Sequence, residues 1–138
     1  MSKLVSLAGH GVYLLDTSIL ILSLRGDSAS RARLATTTTL YLSSIALGEL
    51  YTGAYGSPTR SNSAVQDIDA LAGGEVVLAC DAATAQAYGS IKDDLKRQGL
   101  SIPDNDLWIA ATAIQYQVTL SARDAHFNWI AALQVEQW

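Results

Sequence analysis

Short apolar segments that alternate with helical patterns are the feature that most constrains the fold of this chain. Residues 12–15 form an apolar run that stops abruptly at Asp16, and such a run is typical of a fully buried strand. Four later segments have the same character. The predicted strands are residues 12–15, 40–42, 75–79, 118–120 and 133–135.

Helical patterns fill the stretches between these strands. Ser43 or Ser44 can cap the first predicted helix, and the two glycines at 73–74 close the second. Asp81 caps the third, and Gly99 ends it. The predicted helices are residues 45–55, 63–71, 82–98 and 105–116. Strands that alternate with helices predict an α/β fold whose central, mainly parallel sheet is covered by helices on both faces.

The composition narrows the class of protein further. The 138 residues are about the length of one domain, and 49% hydrophobic with 16% charged residues excludes an intrinsically disordered chain. A single cysteine, Cys80, excludes an internal disulfide framework or a cysteine-based zinc site, and it suits the reducing cytoplasm. No apolar run reaches the roughly 18 residues of a membrane span. We therefore expect a cytoplasmic protein that does not enter a membrane.

The net charge of −4 argues at first against a nucleic-acid-binding protein, since such proteins usually present a basic face. The position of the acids matters more than the total. If four carboxylates bind divalent metal, the rest of the chain carries nine acidic and nine basic residues. The acidic composition therefore does not exclude a metal-dependent nuclease.

Five acids are expected at the carboxyl ends of the strands, where parallel sheets bind their ligands. Asp16 directly follows the first strand, and Asp124 follows the strand at 118–120 after a short turn. Glu49 lies in the first turns of the helix that follows the second strand. Asp104 and Asp106 lie in the first turn of the helix that leads into residues 118–120.

Each acid alone also has an ordinary structural explanation. Asp16 and Asp104 can be helix N-caps, Asp106 can interact with the helix dipole, and Asp124 can be a loop residue. Glu49 is the hardest to explain in this way, because its neighbours are mostly apolar.

The joint pattern of acids predicts a metal site. Two unit charges about 4 Å apart repel by roughly 4 kcal/mol at an effective dielectric near 20, so such a cluster needs a cation. Oxygen ligands without His or Cys favour Mg²⁺ or Mn²⁺. Mg²⁺ also binds phosphate oxygens and can ionise a water, which is the chemistry of phosphodiester hydrolysis.

Four segments of the chain resemble the sequence motifs of one family. They are YLLDTS at 13–18, SIALGEL at 44–50 followed by Gly53, IPDNDLWIAA at 102–111 and TLSARDAHF at 119–127. In this order they resemble the PIN-domain proteins, and most closely the VapC toxins of bacterial toxin–antitoxin pairs. The resemblance covers residues 12–138 as a single domain and leaves residues 1–11 as an N-terminal extension.

The resemblance implies a three-layer α/β/α fold and a Mg²⁺-dependent endoribonuclease, with Mn²⁺ as a substitute, inhibited by a small VapB-type antitoxin. By motif, the catalytic and metal-binding acids are Asp16, Glu49, Asp106 and Asp124, and Asp104 is a weaker ligand candidate. Ser18 and Ser121 match positions whose hydroxyls support the ligands. Position alone makes Arg123 a candidate phosphate contact. We also expect an RNA substrate and a homodimer.

Two other functions stay open from the sequence. A non-catalytic module with the same fold could act by binding a protein or nucleic-acid partner, but the intact set of four acids disfavours it. A phospho-acceptor receiver domain would also place acids at this edge. It normally has adjacent acids after the first strand, whereas Asp16 is followed by Thr17 and Ser18. For His126 we expect a structural role rather than proton transfer.

Overall fold

The computed structural model describes residues 11–36 and 39–138, and within them five strands form one sheet. The predicted N-terminal extension therefore lies, except for Gly11, outside the described residues. The elements in chain order are β1 (Val12–Leu15), α1 (Thr17–Leu24), α2 (Ser28–Ala35), β2 (Thr39–Ser43), α3 (Ser44–Tyr55), α4 (Ser61–Gly74), β3 (Val76–Leu78), α5 (Ala82–Arg97), α6 (Asp104–Tyr116), β4 (Thr119–Ala122), a 3₁₀ helix (Ala125–Trp129) and β5 (Val135–Gln137).

The sheet has the strand order β3-β2-β1-β4-β5, and every pairing in it is parallel. At its centre, Leu14 of β1 lies opposite Tyr41 of β2 and Leu120 of β4. Leu14 and the next residue, Leu15, are both buried. Because successive side chains of a strand point to opposite faces, helices must cover both faces of the sheet. The predicted three-layer α/β/α fold is confirmed, and the sheet is entirely parallel.

Helix α6 contains a run of five consecutive buried residues. Its side chains from Ile109 to Ala113 are all buried, and it contacts α5, α3 and β4. A helix that is apolar on most sides belongs in the interior. Its alanines let neighbouring elements approach closely, and the packing fixes the position of the acids in its first turn.

Serine and aspartate caps hold two of the helices as the sequence predicts. The Ser43 hydroxyl accepts a hydrogen bond from the Ala46 N–H at 2.9 Å, and Asp81 caps α5 through Thr84. Asp16 and Asp104 do not act as side-chain caps: Asp16 makes no capping bond to α1, and α6 begins at Asp104 itself. The capping explanation is therefore wrong for Asp104, whereas Asp16 occupies the N-cap position of α1 without a capping bond from its side chain.

Two helices in the first third of the chain were not predicted. Helix α1, with the sequence TSILILSL, is apolar at almost every position and so has no helical period to recognise. Helix α2 is mostly polar and exposed. The glycines at 73–74 are the last two residues of α4, whereas the sequence predicted that the helix ends before them. The predicted strands match the observed ones to within two residues, the usual uncertainty of element ends. No helix among residues 11–36 and 39–138 is both long enough and apolar enough to span a membrane.

Candidate active site

Four acidic side chains from four separate elements line one cavity at the carboxyl edge of the sheet. Asp16 follows β1, Glu49 lies on α3, Asp106 lies in the first turn of α6, and Asp124 follows β4. The cavity has a volume of about 500 Å³, and its other lining residues are Thr17, Ser18, Ile21 and Arg123. The structure therefore brings together all four acids of the predicted set.

Asp16 is the most buried of these acids, with 5% of its surface exposed. Its backbone N–H donates to the Ser121 carbonyl at 2.9 Å, which anchors it to the adjacent strand. The Ser18 hydroxyl donates to Asp16 Oδ2 at 2.8 Å, as expected for a supporting hydroxyl, while Oδ1 has no partner. Burial raises the pKa of the Asp16 carboxyl, and the Glu49 charge adds to that shift. The Ser18 hydroxyl and the backbone N–H groups of Thr17 and Ser18 oppose it. The cavity thus holds a carboxylate oxygen that lacks a positive or donating partner.

Glu49 is held by a residue that the sequence analysis missed. The Thr17 hydroxyl donates to Glu49 Oε1 at 2.7 Å, across 32 residues of sequence. This bond joins the start of α1 to α3. The only sequence signal for Thr17 was its place directly after Asp16 in the first motif.

His126 lies between the two remaining acids. Its Nε2 is 3.1 Å from Asp106 Oδ2, and its Nδ1 is 3.1 Å from Asp124 Oδ1. A neutral imidazole carries one N–H, so both nitrogens can donate only when the ring is protonated. Burial raises the pKa of Asp106, the Asp16 charge raises it further, and His126 lowers it. The sequence therefore predicted a structural role for His126 but did not predict that it lies between two of the site acids.

The first-turn acid Asp104 does not reach this cavity. It accepts hydrogen bonds from the Tyr88 hydroxyl at 2.8 Å and from Lys92 Nζ at 3.0 Å. Asp104 and Asp106 are two residues apart on α6 and hence about 200° apart around the helix axis. The structure does not bring Asp104 together with the four cavity acids.

The two remaining predicted site residues differ in their surroundings. Ser121 is fully buried on β4, and its hydroxyl has no hydrogen-bond partner, so its supporting role stays a prediction. Arg123 is exposed and lines the cavity beside Asp124. No carboxylate lies within ion-pair distance of Arg123 in the part of the chain that the structure describes. The hydrogen bond from Ser30 lowers the pKa of Asp27, and the Arg123 charge helps to lower it. Arg123 forms no ion pair with a described residue, however, so its guanidinium can contact an anion at the cavity.

The donor set fits a hard divalent cation, although the carboxylates are not drawn together around a preformed metal position. Within residues 11–36 and 39–138, no three Asp, Glu, His or Cys side chains are arranged closely enough to hold a metal. Mg²⁺ nevertheless keeps several of its waters and needs only one or two protein carboxylates. Burial is the main cause of the raised pKa values of Asp16 and Asp106, the repulsion among the acids adds to it, and Oδ1 of Asp16 has no partner. The residues present therefore fit Mg²⁺ or Mn²⁺.

Comparison with known proteins agrees with this geometry. The PIN domain family model matches residues 13–133. Ribonuclease VapC1 of Haemophilus influenzae (strain R2866) is 33% identical over 132 residues, covering 92% of this chain and 98% of the relative. Ribonuclease VapC2 of Rickettsia felis is 30% identical over 132 residues, with the same coverage of both chains.

Solved structures show the same fold. VapBC2 from Rickettsia felis, bound to a DNA fragment from its promoter, matches with a TM-score of 0.84 and 28% identity, over 92% of this chain and 98% of that chain. VapBC-1 from nontypeable Haemophilus influenzae matches with a TM-score of 0.82 and 30% identity, over the same shares of the two chains. The chain therefore belongs to the PIN-domain family, in the group of the VapC proteins.

Proposed function

We propose that this protein is a Mg²⁺-dependent endoribonuclease, the toxin of a toxin–antitoxin pair. One observation carries the proposal: four acids from separate elements converge on one cavity, and the most buried of them has an unpartnered oxygen. The relatives at 30–33% identity are named ribonucleases, which supports RNA as the substrate. Mn²⁺ can replace Mg²⁺, because both prefer oxygen ligands.

The side chains divide the work of the proposed site. The metal would be held by Asp16, Glu49, Asp106 and Asp124. When bound, such an ion supplies an ionised water and stabilises the charge on the leaving oxygen. Ser18 and Thr17 hold two of the carboxylates in place through their hydroxyls, so that the ligands are oriented before substrate arrives. Arg123 contacts the phosphate at the mouth of the cavity.

Helix α6 offers a matched pair of variants to test the proposal. Asp106→Asn removes a cavity carboxylate while keeping its shape, and Asp104→Asn makes the same change on the same helix outside the cavity. The purified protein should cleave RNA with Mg²⁺ and stop with EDTA. Asp106→Asn should fold yet lose most activity, whereas Asp104→Asn should keep it. Undiminished cleavage by Asp106→Asn would show that this acid is structural or that a contaminant cuts the RNA, and would contradict the proposed site. A wild-type protein that does not cleave RNA at all would favour the alternative of a non-catalytic binding module.

We also propose a VapB-type antitoxin as the partner, because the matched structures are VapBC complexes. Its C-terminal segment would place an Arg or Lys among the four acids, since a guanidinium can bridge two carboxylates and replace the metal's charge. The sequence suggested Leu47, Leu50, Tyr51 and Tyr55 as apolar anchors for this segment. Leu47 and Leu50 belong to the core, while Tyr55 is 69% exposed and remains available.

Competition between metal and antitoxin tests this placement. At constant ionic strength, rising Mg²⁺ should weaken binding of the antitoxin's C-terminal peptide, and Glu49→Gln should weaken it too. An affinity that responds to neither change would place the peptide elsewhere. The predicted homodimer stays a separate prediction, which light scattering on the purified chain measures.

A further inference from the structure

A second cavity lies beside the active site, between helices α1, α3 and α4. Its volume is about 290 Å³, and its apolar lining includes Ile21, Leu24, Leu50 and Ile68. Ile21 also lines the cavity of the four acids, so the two cavities lie on either side of this one side chain. Leu24 is 41% exposed at this groove, which leaves an apolar surface open to a ligand.

The groove also carries unneutralised positive charge. Within the described residues, three arginine side chains make neither an ion pair nor a hydrogen bond: Arg25, Arg60 and Arg123. Arg25 and Arg60 line the groove, and Arg123 lines the adjoining acidic cavity. One acid, Asp67, also faces the groove, so the groove keeps a net positive charge. The unpaired arginines of this acidic protein are thus gathered in two neighbouring cavities.

A single RNA strand has the chemistry that these two cavities fit. Its phosphates need cations that are not already paired, and an unpaired base offers a flat apolar face for the wall of a cavity. A duplex keeps its bases stacked and cannot place one in the groove.

We propose that the groove between α1, α3 and α4 is an RNA subsite, in which Arg25 and Arg60 hold phosphates beside the cleaved bond and the apolar wall takes one unpaired base. This inference rests on the proposed ribonuclease function and adds to it a preference for single-stranded segments. The cations of the subsite also offset the repulsion between RNA and the four acids.

Two kinds of variant separate the charge of the groove from its space. The double variant Arg25→Ala, Arg60→Ala removes the cations, and Arg97→Ala is a control on α5, where Arg97 is exposed and pairs with Asp93. Gly53→Leu fills the groove, because no atom lies within 4 Å of a Cβ built at Gly53.

Gly89→Leu is the control for Gly53→Leu, since Gly89 lies in the exposed face of α5 and has equally open space. The assay measures KM and kcat for cleavage of a labelled single-stranded RNA of about ten nucleotides. It also measures binding of that RNA, and of its duplex form, to Asp106→Asn protein across a range of salt concentrations.

The arginine variant should bind the single strand roughly tenfold or more weakly, and its slope of log affinity against log salt should be shallower by about 1.4, or 0.7 for each lost phosphate contact. Gly53→Leu should raise KM with little change in kcat, the duplex should bind more weakly than the single strand, and both controls should resemble the wild type.

Unchanged KM and binding in both groove variants would overturn the subsite while leaving the ribonuclease function standing. Equal binding of single strand and duplex would overturn the base pocket. Loss of antitoxin-peptide binding without loss of RNA binding would make the groove a protein-docking surface instead. A wild-type protein that neither binds nor cleaves RNA would overturn the function and the subsite together.

Discussion

Replacing Asp16 by Asn should make the metal-free protein more stable. Asp16 is 5% exposed, and its Oδ1 lacks any partner. An unsatisfied buried polar group costs about 1–3 kcal/mol. Asn keeps an oxygen for the Ser18 hydroxyl and replaces the charged, unpartnered oxygen by a neutral amide. At about 4 °C per kcal/mol for a chain of this length, the melting temperature in EDTA should rise by about 4–12 °C.

The gain from Asp16→Asn should depend on pH. Burial raises the pKa of the folded Asp16 carboxyl above its ordinary value of 3.8, so the charged form opposes folding. The wild-type protein should therefore lose stability as pH rises from about 3.8 through the folded pKa, and the variant should lack that loss. The difference in melting temperature between the two proteins should be small at pH 4 and larger at pH 7.

Divalent metal should reverse the order of the two proteins. Binding to the folded state alone stabilises it by about 2.7 kcal/mol at a hundredfold excess over Kd, and Asp16→Asn should lose most of that gain. The assay is thermal unfolding in EDTA, in Mn²⁺ or Mg²⁺, and in NaCl of equal ionic strength. Asp93→Asn, an exposed change of the same kind on α5, is the control. A variant no more stable than wild type in EDTA, or a wild type that NaCl stabilises as much as Mn²⁺ does, would refute the reasoning.

Three further changes test the surrounding fold by thermal or acid unfolding. Ser43→Ala removes the cap that accepts from the Ala46 N–H and should cost about 1 kcal/mol; an unchanged melting temperature would contradict this role. Gln117→Gly should stabilise by about 1 kcal/mol, because Gln117 adopts a left-handed conformation at φ 56° that glycine reaches without strain, and a lower melting temperature would show that its side chain matters more. Hydrogen bonds from Thr84 lower the pKa of Asp81 below 3.8, so the stability that Asp81 contributes is present above pH 3.8 and is lost as pH falls through the folded pKa. In acid unfolding, Asp81→Asn should lose less stability than the wild type over this pH range, and an identical pH dependence would contradict the role of Asp81.

The sequence located the acids well because their positions follow from topology. Asp16 and Asp124 stand just after strands that pair with each other in a parallel sheet, so the ends of both strands had to meet at one edge. Glu49 stood out as a carboxylate in an apolar helix. These inferences need only the order of the elements, which the pattern of apolar runs carries.

The contacts within the site depend on side-chain directions that the pattern does not carry. Thr17 meets Glu49 from a helix whose apolar sequence has no recognisable period. His126 reaches Asp106 from the 3₁₀ helix that follows β4, and no residue propensity fixes the direction of that short helix. The position of Asp104 was predictable in principle. Successive residues of a helix are about 100° apart around its axis, so Asp104 and Asp106 point in nearly opposite directions on α6. The sequence prediction grouped them only because both lie in the first turn.

The central position of β1 also decides when the site of the four acids can first be completed during synthesis. Asp16 is tied to Ser121, which is more than a hundred residues later in the chain, and Asp124 follows three residues after that. A nascent chain folds from its N-terminal side as it leaves the ribosome. A chain that has not yet released residues 119–124 lacks the fourth acid and also β4, one of the two strands that pair with β1. Chains translated from a message that is cut before the codon for Asp124 would lack a complete set of four acids for the same reason. If the protein cuts messenger RNA, a cut in its own message would therefore yield chains without a complete site.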